Sequence, residues 1–399
     1  MSHPDSDNPT GYDPFMPELI DGDPYPIYER LRAESPRLFL KEYNAWFFSA
    51  FDDVWNLSKV REMSVGRGIT PSQLLLNSPP NEFMVSQMDP PVHTYWRTLL
   101  NNIFKPTAAK ALEDTIRRRA RELLATLTAR GGGDVMRDFA SPLAAEVGCI
   151  LSGLPRRDVP LQMQWNNHFF HRKPNHRGDT EVGGKAFAEI VDYVTTQMRE
   201  VRSGRQSGEG TLGLLLETQK TDAAVTDDHI VYMVFNMQIA AGDTVPKGIA
   251  ATLHRLWSNP EQLAALRAKP ELSMNAFLEG VRIDMPTQMQ GRVALERVTL
   301  GDTVIEKGQR AMYMFASANR DEKEFDQPNR YRIDRGNKRT LDFGNGIHRC
   351  LGVHVAQVEG EIAIGEALAA LPKYEIDLAA SSHHKTEFLK GWARLALNL

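Results

Sequence analysis

Near the end of this 399-residue chain lies Phe343-Gly344-Asn345-Gly346-Ile347-His348-Arg349-Cys350-Leu351-Gly352, which sets one of only two cysteines among three glycines. Glycine lets a backbone turn tightly and approach a flat ligand closely. A helix-forming run, Val353 to Leu371, follows at once. A cysteine just ahead of a helix has its thiolate stabilised by unpaired backbone N–H groups and the positive end of the helix dipole. The stretch therefore demands a tight loop abutting a helix, and it offers a sulfur anion to a metal. The competing reading of a lone cysteine is a small buried hydrophobe.

The remaining sequence bounds what such a loop belongs to. The length suits one large domain or two closely joined lobes. Charged residues make up 25% and hydrophobic residues 42%, ordinary values for a soluble globular chain. A net charge of −4 gives no reason to expect nucleic acid as a partner. Cys149 and Cys350 do not form a disulfide framework, which points to a reducing, cytoplasmic setting. The start, MSHPDSDNPTGYDPF, is polar and acidic, unlike a signal peptide or a membrane span. No repeat or low-complexity linker divides the chain. The expectation is a loose arm over residues 1–20 and a single monomeric domain over 21–399.

Taken in order, Pro24 to Arg32 predicts a helix with Ile27, Tyr28 and Leu31 on one face. Arg37-Leu-Phe-Leu and Ala45-Trp-Phe-Phe-Ser predict a hairpin. Residues 62–88, with Gly66, Gly68, Pro71, Pro79 and Pro80, predict a long loop, buried in part through its apolar residues. Asp89-Pro90-Pro91 suits a helix start, and His93 and Arg97, four apart, share a face that offers two donors to a carboxylate. Residues 108–130 predict a basic helix carrying Arg117, Arg118, Arg119 and Arg121, and 134–154 a buried one. The stretch from Gln162 to Gly178 is rich in histidine, but the spacing of His168, His171 and His176 is not a common zinc pattern. Arg199 to Gly213 predicts an exposed turn. Asp227 to Leu256 predicts a long core helix with Ala240-Ala241-Gly242-Asp243-Thr244-Val245-Pro246 at its middle. A buried aspartate is costly unless partnered, so Asp243 beside Thr244 asks for a role. Pro246 removes one backbone hydrogen bond and predicts a kink. Glu279 and Arg282, three apart, pair on a further helix. Strands with turns at Gly301-Asp302 and Lys307-Gly308 follow, and Glu387 to Trp392 predicts a last hairpin.

Together these segments resemble the cytochrome P450 family, from about Pro24 to the end. The pattern Phe-x-x-Gly-x-His-x-Cys-x-Gly fits the family's haem loop without a mismatch, Ala240 to Thr244 resembles its oxygen-groove motif, and Glu-x-x-Arg stands in its usual order between the two. The resemblance implies a mainly α (α+β) fold with a large α-rich lobe, a small β-rich lobe and haem b between them. It implies Cys350 as the metal ligand, whose electron push favours O–O cleavage. Around the haem it implies His93, Arg97, Arg292 and His348 at the propionates, with Ala240, Phe343 and Gly352 against the ring. Asp243 and Thr244 are implied as the proton-delivering pair. Ala241 stands where glycine is common, which leaves less room in the groove or shifts a local bulge. Glu279 and Arg282 are implied as a structural charge network with Arg330, from Pro328-Asn329-Arg330-Tyr331.

The reaction implied is insertion of one oxygen atom from O2 into a C–H bond, a hydroxylation or oxidative O-demethylation. Its electrons come from NAD(P)H through a reductase and a ferredoxin. Some of the arginines over 108–130, with Lys105, Arg339 and Arg349, are expected to meet that ferredoxin. Gln288, Gln290 and Leu389 are expected to line the substrate, and the two glutamines favour one with an oxygen function. The loop over 62–88 and the histidine-rich stretch, which opens to a polar or anionic molecule, are expected to cover it. The alternatives are a peroxide-driven peroxygenase, which typically lacks the acid–alcohol pair, and a non-catalytic haem-thiolate sensor.

Overall fold

The structure is a computed structural model that describes residues 8, 10–173, 176–336 and 339–399. After α1 (Pro17–Ile20) and α2 (Tyr25–Glu34), strands β1 (Arg37–Leu40) and β2 (Ala45–Phe48) pair antiparallel with Leu40 opposite Ala45. Leu38 and Leu40 alternate inward along β1, the period a half-buried strand requires. Then come α3 (Phe51–Leu57), β3 (Met63–Ser64) and α4 (Pro71–Leu76). The long loop expected over 62–88 is thus interrupted by a strand and a helix. The helix forms because Thr70 accepts from the Gln73 backbone N–H and the Gln73 side chain accepts from Thr70, a reciprocal cap with Pro71 at the first helical position.

The helical lobe is built from α5 (Val92–Phe104), α6 (Pro106–Lys110), α7 (Glu113–Ala129), strand β4 (Gly132–Asp134), α8 (Ser141–Ser152), α9 (Val159–Phe169), α10 (Glu181–Arg202) and α11 (Gly210–Gln219). Through its centre runs α12 (Asp227–Ser258), opened by a second reciprocal cap between Thr226 and His229. Its residues are buried on nearly every face, as for a helix packed on all sides. It stays helical through Pro246, which leaves the Gly242 carbonyl without its i+4 donor.

Next are α13 (Pro260–Ala268), α14 (Ser273–Ile283), strands β5 (Gln290–Ala294), β6 (Val298–Leu300), β7 (Thr303–Ile305) and β8 (Arg310–Tyr313), and helix α15 (Phe315–Ala318). Last come α16 (Val353–Ala370), β9 (Glu375–His383) and β10 (Trp392–Asn398). One sheet has the order β1-β2-β8-β5-β3, with β2 and β8 parallel, and a second has the order β4-β10-β9. A helix-dominated lobe beside small sheets is the fold class expected from the sequence.

Two expectations need correction. The arm over 1–20 is packed from Thr10 onward: Tyr12 is buried edge-on against Phe47, and Phe15 and Leu19 join the core. Residues 1–7 and 9 of that arm lie outside the described residues, as do Pro174 and Asn175 of the histidine-rich stretch. The charge network also differs. Arg282 donates to both Glu279 oxygens at 2.7 and 2.8 Å, but the second arginine on Glu279 is Arg335, at 2.9 Å. Arg330 is exposed and, among the described residues, its side chain reaches only Gln327. The inward position of this turn is taken by Tyr331, whose hydroxyl donates to the Ala276 carbonyl, so its neighbour Arg330 faces out.

Candidate functional site

The loop before α16 is clamped from both sides. The Cys350 N–H donates to the Phe343 carbonyl at 2.8 Å, closing the turn. Gly344 and Gly346 take φ of +66° and +75°, conformations that suit glycine, and a Cβ on Gly346 would overlap the Ser58 carbonyl. Asn345 donates to the Trp55 carbonyl, fastening the loop to α3. The Cys350 side chain is accessible, yet burial is the largest influence on it and raises its thiol pKa. The Gly352 N–H, Arg97 and Arg349 pull the other way. The helix-end stabilisation expected from sequence is therefore present but outweighed. A metal cation on the sulfur reverses that balance.

Four basic side chains, from α5, from β5 and from the loop itself, meet here. His93 on α5 is buried, its ring 4.2 Å from that of His348. Arg97, one turn further, donates to the Arg349 carbonyl at 2.6 Å. Arg292 on β5 is buried over the Tyr313 ring and donates to the Gly291 carbonyl. Burial holds the His348 imidazole far below its ordinary pKa, reinforced by Arg292, His93 and Arg97. Arg97 and Arg292 are likewise pulled down by burial. Among the described residues no carboxylate lies within ion-pair distance of either arginine, and His93 Nε2 has no partner. Asp89, the acid whose charge Arg292 and His93 feel, is occupied by Ser64 and the Val65 N–H. Unneutralised buried donors of one sign are costly unless an anion completes them. Their chemistry suits the carboxylate edge of a haem, the group the resemblance implies.

At the middle of α12, Ala240 is exposed although the helix around it is largely buried, and Thr244 stands one turn on. The Thr244 hydroxyl donates weakly to the Ala240 carbonyl at 3.3 Å. Asp243 is buried and paired with Lys247 one turn further along. The Ala241 methyl is aimed at α8, 3.3 Å from where a Cβ on Gly148 would stand. The narrowing expected from Ala241 is therefore taken up by a glycine on the neighbouring helix. Gly242 is covered by the Asn166 amide of α9, which also accepts from Gln238 at 3.1 Å.

The substrate-facing predictions divide. The segment Pro286–Gln288 and the hairpin tip Phe388–Lys390 do come together: the Gln288 N–H donates to the Phe388 carbonyl, Lys390 N–H to the Pro286 carbonyl, and Leu389 bridges Thr287. Gln288, however, is 2% exposed and spent on structure: it accepts from the Tyr28 hydroxyl and donates to the Met285 carbonyl. It is not free to bind a substrate. Gln290 is half-buried at the start of β5.

His171 and His176 contact Thr180 and the Asp179 carbonyl, and no three metal-ligating side chains cluster among the described residues. The link between α9 and α10 is anchored by Arg172, which donates to both oxygens of buried Glu387 on the hairpin tip. Sequence reasoning missed that pair, 215 residues apart. Of the arginines expected to dock a partner, Arg117 and Arg121 hold Glu366, Arg119 holds Glu122 and Glu146, and Arg339 holds Glu324 and Asp52. Lys105, Arg118 and Arg349 remain exposed.

A family model described as "Cytochrome P450" matches residues 160–378. "Cytochrome P450 109" of Bacillus spizizenii is 30% identical over 356 residues, covering 87% of this chain and 84% of that protein. "Cytochrome p450 CYP199A2" of Rhodopseudomonas palustris is 29% identical, covering 92% and 88%. Among solved structures, CYP109E1 from Bacillus megaterium, in complex with testosterone, superposes with a TM-score of 0.86 at 25% identity over 96% of this chain and 98% of that one. No helix of the described residues is long and apolar enough to cross a membrane.

Proposed function

The chain belongs to the cytochrome P450 family of haem-thiolate monooxygenases, and from that membership we propose that it inserts one oxygen atom of O2 into a C–H bond of a small organic molecule, by hydroxylation or oxidative O-demethylation. Two electrons come from NAD(P)H through a ferredoxin reductase and a ferredoxin, in the cytoplasm. The cofactor is haem b, which when bound supplies the activation of dioxygen.

In this reading Cys350 would give its thiolate to the iron, with the Gly352 N–H and Arg97 favouring that charge. His93, Arg97, Arg292 and His348 would hold the propionates, and Ala240, Phe343 and Gly352 would line the ring. The Thr244 hydroxyl hands a proton toward the reacting oxygen, and the Asp243 carboxyl resupplies it. Leu389 and Gln290 face the substrate, whereas the case for a polar substrate loses Gln288. Lys105, Arg118 and Arg349 present the positive surface on which an acidic ferredoxin docks.

The observation that carries the reading is the meeting of two arginines and two histidines at the Cys350 loop, with no acid within ion-pair distance of either arginine among the described residues. The test is turnover under 18O2 of a compound that shifts the ferric spin state, with NADH, ferredoxin reductase and ferredoxin. One 18O atom is expected in a hydroxylated product, or, for O-demethylation, in the formaldehyde released while the demethylated product keeps its own oxygen. Product formed with hydrogen peroxide alone, and none with the electron-transfer proteins, would assign a peroxygenase instead.

A further inference from the structure

One buried cation on α12 is unused by the reading above. The Lys247 side chain is 1% exposed, and its ammonium lies within ion-pair distance of Asp243 Oδ2. The contact is an ion pair rather than an aligned hydrogen bond. Residues four apart share a helix face, so the pair is built into α12 itself. Burying an ammonium is costly unless a carboxylate neutralises it, and no other acid is paired with Lys247 among the described residues.

The stem of Lys247 is gripped from outside the helix. A Cβ on Gly391 would stand 2.9–3.0 Å from Lys247 Cβ, Cγ and Cδ, so the residue leading into β10 lies directly on the lysine. Gly391 also accepts the His384 N–H at 2.8 Å, which closes the neck of the β9–β10 hairpin over this point. His384 feels both members of the pair: Lys247 lowers its pKa and Asp243 raises it, beneath a larger effect of burial. The hairpin therefore fixes where the ammonium sits, and the ammonium fixes the carboxylate. Thr244, meanwhile, points its hydroxyl at the Ala240 carbonyl. The acid and the alcohol are adjacent in sequence but each is engaged elsewhere.

We propose that Lys247 is a positioning residue that parks the Asp243 carboxylate on the hairpin side of α12, away from Thr244, so that proton delivery requires the carboxylate to leave the lysine. This rests on reading Asp243 and Thr244 as the proton-moving pair. It adds a holding site for the acid, made by a lysine on the same helix and a glycine that only a bare backbone allows at that distance.

Carbon monoxide bound to the ferrous haem is a suitable probe, because its C–O stretch responds to polar groups turned toward it. Infrared spectra would be compared for the native holoenzyme, Lys247→Met, Asp243→Asn and the double variant. Lys247→Met is expected to add a shifted C–O band from the released carboxyl, and the double variant to match Asp243→Asn. The melting temperature of the single lysine variant should fall several degrees below that of the double variant, which buries no unpaired charge. A Lys247→Met spectrum equal to the native one overturns the proposal. So does a Lys247→Met shift that persists unchanged in the double variant, since the lysine would then act without Asp243. Should Lys247→Met not fold, a double variant that differs from Asp243→Asn overturns it equally, and a match supports it. Failure of the native protein to give any haem–carbon monoxide complex would instead remove the underlying reading.

Discussion

Arg335, not Arg330, should carry the second cationic contact to Glu279, and the two substitutions to methionine separate them. The Arg335 side chain is 6% exposed and Glu279 2%. Arg335 also donates to the carbonyls of Asp326, Gln327 and Arg330. Removing it leaves a buried carboxylate with one cation instead of two and strips three carbonyls of a donor. Breaking a buried pair costs about 3–5 kcal/mol. At about 2.1 cal/mol/K per residue, unfolding this 399-residue chain carries an entropy of about 0.8 kcal/mol/K. The loss therefore converts to a Tm decrease of about 4–6 °C. Arg330→Met, on an exposed side chain that among the described residues bonds only to Gln327, should move Tm by under about 1 °C. Calorimetry on both holo variants reads the difference directly. Equal losses, or a larger one for Arg330→Met, would refute the assignment.

Three further outcomes follow from the same geometry. Gly242→Ala places a methyl on the Asn166 amide and should cost about 1–3 kcal/mol, most of it regained in Gly242→Ala/Asn166→Ala, as chemical denaturation would show. Burial lowers the His254 imidazole to about 4, so the fold binds fewer protons there than the unfolded chain. Its stabilising effect is full above the unfolded value near 6.5 and is lost as pH falls toward 4. His254→Phe, which keeps a ring against Trp392, should reduce the stability lost between pH 6.5 and 5 by at most about 2 kcal/mol. Thr244→Ala should divert NAD(P)H consumption into hydrogen peroxide; full coupling in that variant would remove Thr244 from proton delivery.

What was legible in the sequence was local. The turn at Cys350 and the Glu279–Arg282 pair each lie within one loop or one helical turn, where spacing fixes proximity. Lys247 carried the same signal, four residues after Asp243, and went unread. What failed was long-range. Gln288 looked free because its partner Tyr28 lies 260 residues away. Arg335, not the nearer Arg330, faces Glu279 because Tyr331 takes the inward position of this turn, which spacing alone does not show. The arm at Tyr12 looked polar because its neighbours are, although one aromatic ring against Phe47 suffices to pack it.

The central claim is that Cys350 is the iron ligand, and an optical spectrum of the reduced protein under carbon monoxide, taken for the native chain and for Cys350→Ser, tests it most directly. The account predicts a red-shifted, thiolate-type Soret band in the native protein that disappears in the variant. A haem spectrum unchanged by the substitution would contradict it, and the roles built around Cys350 would fall with it.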